Sequence, residues 1–321
     1  MSKIYGFGSV ALDFRGQVAD FGKDYTSKLL VQKTDISAGG AVANSLVQAA
    51  RLGGHAVYLG KLGTDEIGRR IVANLRAENI DTESIIFGNG EISPFNVAIY
   101  AGEARRRVGG YLLPNSLFGI CAKDVERLSS RFSEGDILLL EIGEIAVESC
   151  LYMCRIAKEK GVRIVMDVDL DPVLQCGAKE ADARTLFSYA DYLIPNGESL
   201  KSLFGEIETV AAAQKLSEEY RAFTVITEGD KGCVFCDLSG KAKRQKSFKI
   251  SSVVDTVGAG DAFHGSFAYA LSQNYPPETA VLFATYCAAQ NCKAFGATTA
   301  MARRSELENI WDFGAGRFIE S

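Results

Sequence analysis

Residues 137–166 read ILLLEIGEIAVESCLYMCRIAKEKGVRIVM. Two apolar runs, Ile137-Leu138-Leu139-Leu140 and Arg163-Ile164-Val165-Met166, bracket a helical-looking segment from Ala146 to Lys160, and Gly161 follows it as a C-cap. Short apolar runs of this kind suit strands buried on both faces, and a helix between two of them makes the strands parallel. The rhythm continues with Tyr192-Leu193-Ile194, helices near Ser199 to Phe204 and Val210 to Tyr220, and then Phe223-Thr224-Val225-Ile226. The expected fold is α/β, with a mainly parallel central sheet between layers of helices. After Asp261 the pattern is mostly helical through Ala294. Residues 14–36 and 86–112 break the rhythm, being richer in polar and β-type residues; within the second, SPFNVAIY at 93–100 predicts a strand entering a turn at Gly102-Glu103. These two stretches are expected to form a small β appendage on a single domain spanning 1–321.

The bulk properties narrow the function classes. The chain has 321 residues, enough for one large domain, and 47% hydrophobic with 23% charged residues is an ordinary globular composition. A net charge of −5 offers no global basic field for a nucleic acid. No run approaches the length of a membrane span, and Met1-Ser2-Lys3-Ile4-Tyr5 enters a strand without a secretory pattern. A cytoplasmic setting without nucleic-acid or membrane partners is expected, with the eight cysteines as reduced thiols. Cys233 and Cys236 form a C-x-x-C with no second pair to complete a metal site. On a strand their side chains would point to opposite faces, as buried structural residues do.

Three glycine-rich places compete for the chemistry. Gly6-Phe7-Gly8-Ser9-Val10-Ala11 nearly fits a dinucleotide turn, but no helical stripe follows it, so a strand end open to a ligand is the better reading. Gly63-Thr64-Asp65-Glu66-Ile67-Gly68 has the glycine spacing of a P-loop without its Lys-Ser/Thr pair, and is read as a turn capping a helix from Ile67 to Asn79. Asp255-Thr256-Val257-Gly258-Ala259-Gly260-Asp261-Ala262-Phe263 is different. Three small residues open a helical run, leaving the N–H groups of Gly258, Ala259 and Gly260 to receive an anion. Asp261 could be an ordinary helix cap. A transferring phosphoryl group, however, needs both bare donors and a base beside them.

This third segment resembles the C-terminal signature of the ribokinase-like (PfkB) carbohydrate kinases. Gly39-Gly40-Ala41-Val42-Ala43-Asn44, Leu52-Gly53 and Gly60-Lys61-Leu62-Gly63-Thr64-Asp65-Glu66-Ile67-Gly68 resemble the N-terminal one. The resemblance runs from about residue 3 to about residue 300. It implies a ribokinase-like three-layer sandwich with a small β-sheet lid, ATP and Mg2+ as cofactors, and in many members a monovalent cation such as K+. It also implies roles. Asp261 would be the base, with Gly258, Ala259 and Gly260 as the anion hole. Asp13, Gly39, Gly40, Asn44 and Glu141 would bind sugar. Asn196, Glu198, Thr227, Gly229, Gly232 and Thr256 would lie on the nucleotide side, and Asp255 with the Val257 backbone would form a cation site. The lid would exclude water, and its exposed strands invite a homodimer.

The chain also departs from the family pattern. Asn196-Gly197-Glu198-Ser199 carries its glutamate one place early, with Ser199 where a carboxylate is usual. Asp167-Val168-Asp169-Leu170-Asp171 has an aspartate where fructokinase-like and ketodeoxygluconate kinase-like relatives often carry an arginine that would meet an anionic or keto-acid substrate. Ala41 replaces the usual lysine. The first departure bears on how magnesium is positioned; the other two, with Glu141 at its strand end, favour a neutral, ribose- or fructose-like sugar. A nucleoside or modified-sugar kinase, a non-catalytic sugar-binding relative and a nicotinamide oxidoreductase are the alternatives. Arg105-Arg106-Arg107 and the segment from Lys241 to Lys246 read as solvated turns, the second a hairpin. His264 reads as a packing or capping residue behind the site, and Glu141 has a solvent-facing strand end as its bland alternative.

Overall fold

The run Ile137–Ile142 is a strand buried along its whole length, and its neighbours in sequence and space follow from it. The structure is a computed structural model and describes residues 2–19, 30–101, 106–169 and 179–319, the stretch 106–112 as backbone only. In chain order the first third comprises β1 (Lys3–Phe7), β2 (Ala11–Val18), β3 (Lys33–Gly39), α1 (Ala41–Arg51), β4 (His55–Leu59), β5 (Lys61–Gly63) and α2 (Glu66–Ala77). Next come β6 (Ile86–Gly88), β7 (Phe95–Ala101), β8 (Arg106–Leu112), α3 (Ala122–Leu128), β9 (Ile137–Ile142), α4 (Val147–Glu159) and β10 (Arg163–Val168). Then follow α5 (Glu180–Phe187), β11 (Tyr192–Pro195), α6 (Gly197–Phe204), α7 (Thr209–Tyr220), β12 (Phe223–Thr227), β13 (Cys233–Cys236) and β14 (Ala242–Gln245). The last helices are α8 (Ala259–Ser272), α9 (Pro277–Asn291) and α10 (Arg304–Leu307).

The central sheet runs β14-β13-β12-β11-β10-β9-β1-β4. It is parallel from β4 to β12, and β13 and β14 add an antiparallel hairpin at one edge. Alternate residues of β9 feed two cores. Ile137 and Leu139 pack under α1, α8 and α9, while Leu138, Leu140 and Ile142 pack under α3 to α7. Each such side chain contributes about 2 kcal/mol on burial, which is why the strands read as continuous apolar runs. Cys233 joins the first core and Cys236 the second, so the C-x-x-C thiols lie on opposite faces as expected.

The appendage is a separate sheet of order β3-β2-β7-β8. Its strands differ from the expected bounds. β2 already starts at Ala11 and β3 runs on to Gly39, while β6 leaves the appendage and pairs with β5. Part of the 14–36 expectation, residues 20–29, lies outside the described residues.

Two of the glycine-rich places are structural. Gly6 and Gly8 let α1 press on the end of β1: a Cβ at Gly6 would lie 2.6 Å from a Val42 methyl, and one at Gly8 2.5 Å from the other. No helix follows β1; the chain enters β2, which removes the dinucleotide reading. Asp65 caps α2, accepting the Gly68 N–H at 2.7 Å, and its second oxygen accepts the Ser93 N–H at 2.8 Å. Lys241 to Lys246 enters the β13–β14 hairpin, whose turn is tied by Asp237 accepting the Ser239 and Lys241 N–H groups.

Candidate active site

The carboxyl ends of the parallel strands are where open α/β sheets bind ligands, at the place where the strand order reverses. Here β1 lies between β4 and β9, so Ser9 after β1 and Glu141 near the end of β9 border such a crevice. The N-terminus of α8 points into the same region. Gly258, left-handed at φ 79°, turns the chain into this helix. A Cβ there would meet the Ala297 carbonyl oxygen at 2.1 Å, so only glycine fits.

The bare N–H groups at the start of α8 differ by one member from the set expected to form an anion hole. The Ala259 N–H donates to the Thr256 carbonyl at 3.2 Å. Among the described residues the N–H groups of Gly258, Gly260 and Asp261 have no carbonyl partner. Gly260 is exposed, and a Cβ added to it would meet nothing within 4 Å. Residues 258–261 therefore open on space rather than on packed core.

Asp261 sits in the first turn of α8. Its Oδ2 accepts the Asn44 side-chain N–H at 2.7 Å. That single bond joins the two sequence signatures across 217 residues. Burial pushes the Asp261 carboxyl up to about 7; Asp167 and Asp13 add to the rise, and Asn44 and His264 oppose it.

The sugar-side candidates cluster around Asp13 on β2. Asp13 accepts the Asn96 amide at 3.2 Å from β7 and faces Arg15 at 3.7 Å. Gly39 makes room for it, since a Cβ there would fall 2.1 Å from Asp13 Oδ2. Gly40, at φ 96°, is the residue before α1 and packs on the Ser9–Val10 backbone, where a Cβ would lie 2.5 Å from Val10 Cα. Glu141 is buried rather than solvent-facing, and Oε2 accepts both the N–H and the hydroxyl of Ser9.

The nucleotide-side candidates form a second group. Asn196 caps α6, accepting the Ser199 N–H at 2.8 Å, and pairs by a β-bridge with Thr227 at the end of β12. Gly229 and Gly232, at φ 59° and 94°, shape the following turn, and the Glu228 N–H donates to the Gly232 carbonyl at 2.8 Å. Glu198 is exposed and Ser199 buried. The Asp255 carboxylate accepts the N–H groups of Val257 at 3.1 Å and Gly296 at 3.0 Å, pinning the two loops together. Among the described residues, no group of three or more His, Cys, Asp or Glu could hold a metal ion.

Sequence reasoning did not single out Asp167 or Ser9 as site residues. Asp167 pairs in register with Glu141, and its Oδ1 lies 3.4 Å from His264 Nε2. His264 packs behind the start of α8: its Nδ1 lies 2.8 Å from the Gly260 carbonyl, which can only accept, so that nitrogen carries the hydrogen. The i, i+4 spacing of Gly260 and His264 was a usable signal. Asp167 had one too, as an acid at the end of an apolar run. Ser9 had none. Leu170, Asp171 and Arg105 lie outside the described residues, as do the side chains of Arg106 and Arg107.

Comparisons with known proteins bear on the family and the fold. The model of the pfkB family of carbohydrate kinases matches residues 1–304. A rice protein named Fructokinase-1 is 30% identical, covering 96% of this chain and 97% of its own. A Lactococcus lactis ribokinase is 24% identical over 96% of each chain. Among solved structures, Arabidopsis thaliana ribokinase complexed with ribose and ATP superposes with a TM-score of 0.80 at 21% identity, covering 96% of this chain and 98% of that one. Cryptococcus neoformans ribokinase in complex with ADP gives 0.81 at 18% identity, covering 96% and 99%. The appendage, the α8 N-terminus and both signatures fall within the matched region, and the chain belongs to the pfkB family of carbohydrate kinases.

Proposed function

We propose that the protein transfers the γ-phosphoryl group of ATP in line to a hydroxyl of a small neutral sugar, ribose- or fructose-like, with Asp261 as the base. The observation that carries this reading is the Asn44–Asp261 hydrogen bond beside the open Gly260 backbone. It sets a carboxylate next to unpaired amides, the two components that phosphoryl transfer asks of a protein. The amides of Gly258, Gly260 and Asp261 would stabilise charge on the transferring group. Asp13, Gly39, Gly40, Asn44 and Glu141 would orient the sugar. The acids around Asp261 disfavour an anionic acceptor, and relatives named fructokinase and ribokinase agree with a neutral one.

Asn196, Glu198, Thr227, Gly229, Gly232 and Thr256 would border the nucleotide. The donor set suits a Mg2+ ion brought on the phosphates rather than a resident one, which is the usual way this ion is held in kinases. A monovalent cation fits beside Asp255 and the Val257 carbonyl, because Asn291 Oδ1 in the same corner is buried without a partner. The appendage would act as a lid on residues 1–321 as one unit, and the exposed residues 33–36 of its edge strand suit pairing with a second copy. A cytoplasmic setting suits the seven free thiols of the described residues. No described helix is long and apolar enough to cross a membrane.

The test is an ADP-release screen of neutral sugars, sugar acids and nucleosides with Mg-ATP, with and without K+. Turnover confined to a neutral pentose or hexose is expected, and none with any polyol would sink the reading. Gly260→Val supplies a local check. With open space around its Cβ the variant should melt close to wild type, because β-branching in a helix costs under about 1 kcal/mol. It should lose at least about tenfold in turnover, as removal of an anion-hole contact does. Wild-type kinetics would show that the phosphoryl group does not approach there.

A further inference from the structure

Glu141 and Asp167 are register partners on the parallel strands β9 and β10. Their neighbours Leu140, Ile142, Met166 and Val168 belong to the core under α3 to α7. By alternation both acids face the other layer, under α1 and α8. Two ionised carboxylates side by side in such a layer repel, and pairs of this kind settle by retaining a proton. Among the described residues no lysine or arginine forms an ion pair with either acid; Asp167 has His264 as its neighbour. Among the described residues, the titratable groups with the largest mutual effect on Glu141 are Asp167 on β10, Glu144 beyond the strand, Tyr58 on β4 and Cys150 on α4, none of them a cation. Burial above all, and then Asp167, pushes the Glu141 carboxyl up to about 8, against the two Ser9 hydrogen bonds, which favour the charged form.

Ser9 decides where a proton would sit. Its N–H donates to Glu141 Oε2 at 2.7 Å and its hydroxyl to the same oxygen at 2.5 Å. The Ser9 oxygen in turn accepts the Ala41 N–H at 2.8 Å, which directs the hydroxyl hydrogen toward Glu141. With both hydrogens on Oε2, a proton on this carboxyl belongs on Oε1. Building on the sugar-kinase reading above, we propose that Glu141 engages the sugar as a neutral acid, its Oε1–H donating to a substrate oxygen that accepts, such as a ring or carbonyl oxygen. A carboxylate would have the opposite preference, accepting from sugar hydroxyls.

Glu141→Gln and Glu141→Ala separate the two. The glutamine amide keeps an oxygen for Ser9 and offers an N–H where the acid offers its O–H. With D-ribose and D-fructose as probes, Glu141→Gln should keep the sugar KM within about threefold of wild type, whereas Glu141→Ala should raise it about 30–100-fold, as leaving a buried polar partner unpaired does. A carboxyl raised in this way is protonated below its shifted value, so the wild-type KM should climb above about pH 8 while that of Glu141→Gln stays flat. A glutamine variant as impaired as the alanine one, or a wild-type KM flat to about pH 9.5, overturns the proposal.

An infrared difference spectrum, wild type minus Glu141→Gln, reads the same proton without substrate. A protonated-carboxyl C=O stretch at pH 7 that disappears above about pH 9 is expected, and carboxylate bands alone would overturn the proposal. Failure of the sugar-kinase reading looks different: the wild type then phosphorylates neither probe at any pH, and the infrared result still decides the state of Glu141.

Discussion

Asp261→Asn should bind ATP within a few-fold of wild type and yet turn over about 10²–10⁴-fold more slowly, the usual loss on removing a positioned general base. The replacement has the same shape and keeps its backbone N–H in the first turn of α8. Its side-chain oxygen can still accept from Asn44, so the anion hole and the loop bond survive. Only the ability to take the hydroxyl proton is removed. The pH profile gives the second signature. With the Asp261 carboxyl raised to about 7 by burial, the basic form accumulates above that pH. The wild-type kcat/KM should therefore rise about tenfold per pH unit up to about pH 7 and then level off. The residual activity of the variant should lack this limb. Steady-state kinetics from pH 5.5 to 9, with calorimetric ATP binding, make the comparison; a variant showing the same acid limb would move the base elsewhere.

Gly258→Ala should be the most damaging single methyl group in the site. The position combines a left-handed φ of 79° with a Cβ placement 2.1 Å from the Ala297 carbonyl oxygen, which is backbone and cannot rotate away. Backbone strain of this kind costs about 1–3 kcal/mol, and the clash adds to it. A fall in melting temperature of roughly 5–10 °C is expected, with turnover reduced beyond it because the turn aims the amides of α8. Two residues on, Gly260 carries neither constraint, so the pair of variants separates folding from phosphate approach. An alanine at 258 that melts and turns over like wild type would mean that the 297 loop yields freely.

The fold was legible where strands are buried on both faces. Residues 137–140, 163–166 and 223–226 read as strands because all of their side chains except Arg163 and Thr224 enter one of two cores. The glycines at 39, 40 and 258 were singled out by the motifs they belong to, and the structure gives each a specific obstacle. Register was not legible. That Glu141 faces Asp167 depends on how β9 pairs with β10, and apolar runs do not carry that information. Ser9 lay hidden because a serine after a strand has no pattern; it matters through Glu141 and Ala41, distant in sequence. That the Ala259 N–H is not among the bare amides reflects a tight turn closing on Thr256, which composition alone does not reveal.

The contact between Asn44 and Asp261 has a bearing on synthesis. The ribosome delivers the chain from the N-terminus, so the sugar-side loop emerges long before α8, and domains close only when distant partners are available. A nascent chain halted before residue 258 lacks α8 and α9, which cover one face of the central sheet, so both this core and the Asn44–Asp261 contact wait for the last part of synthesis.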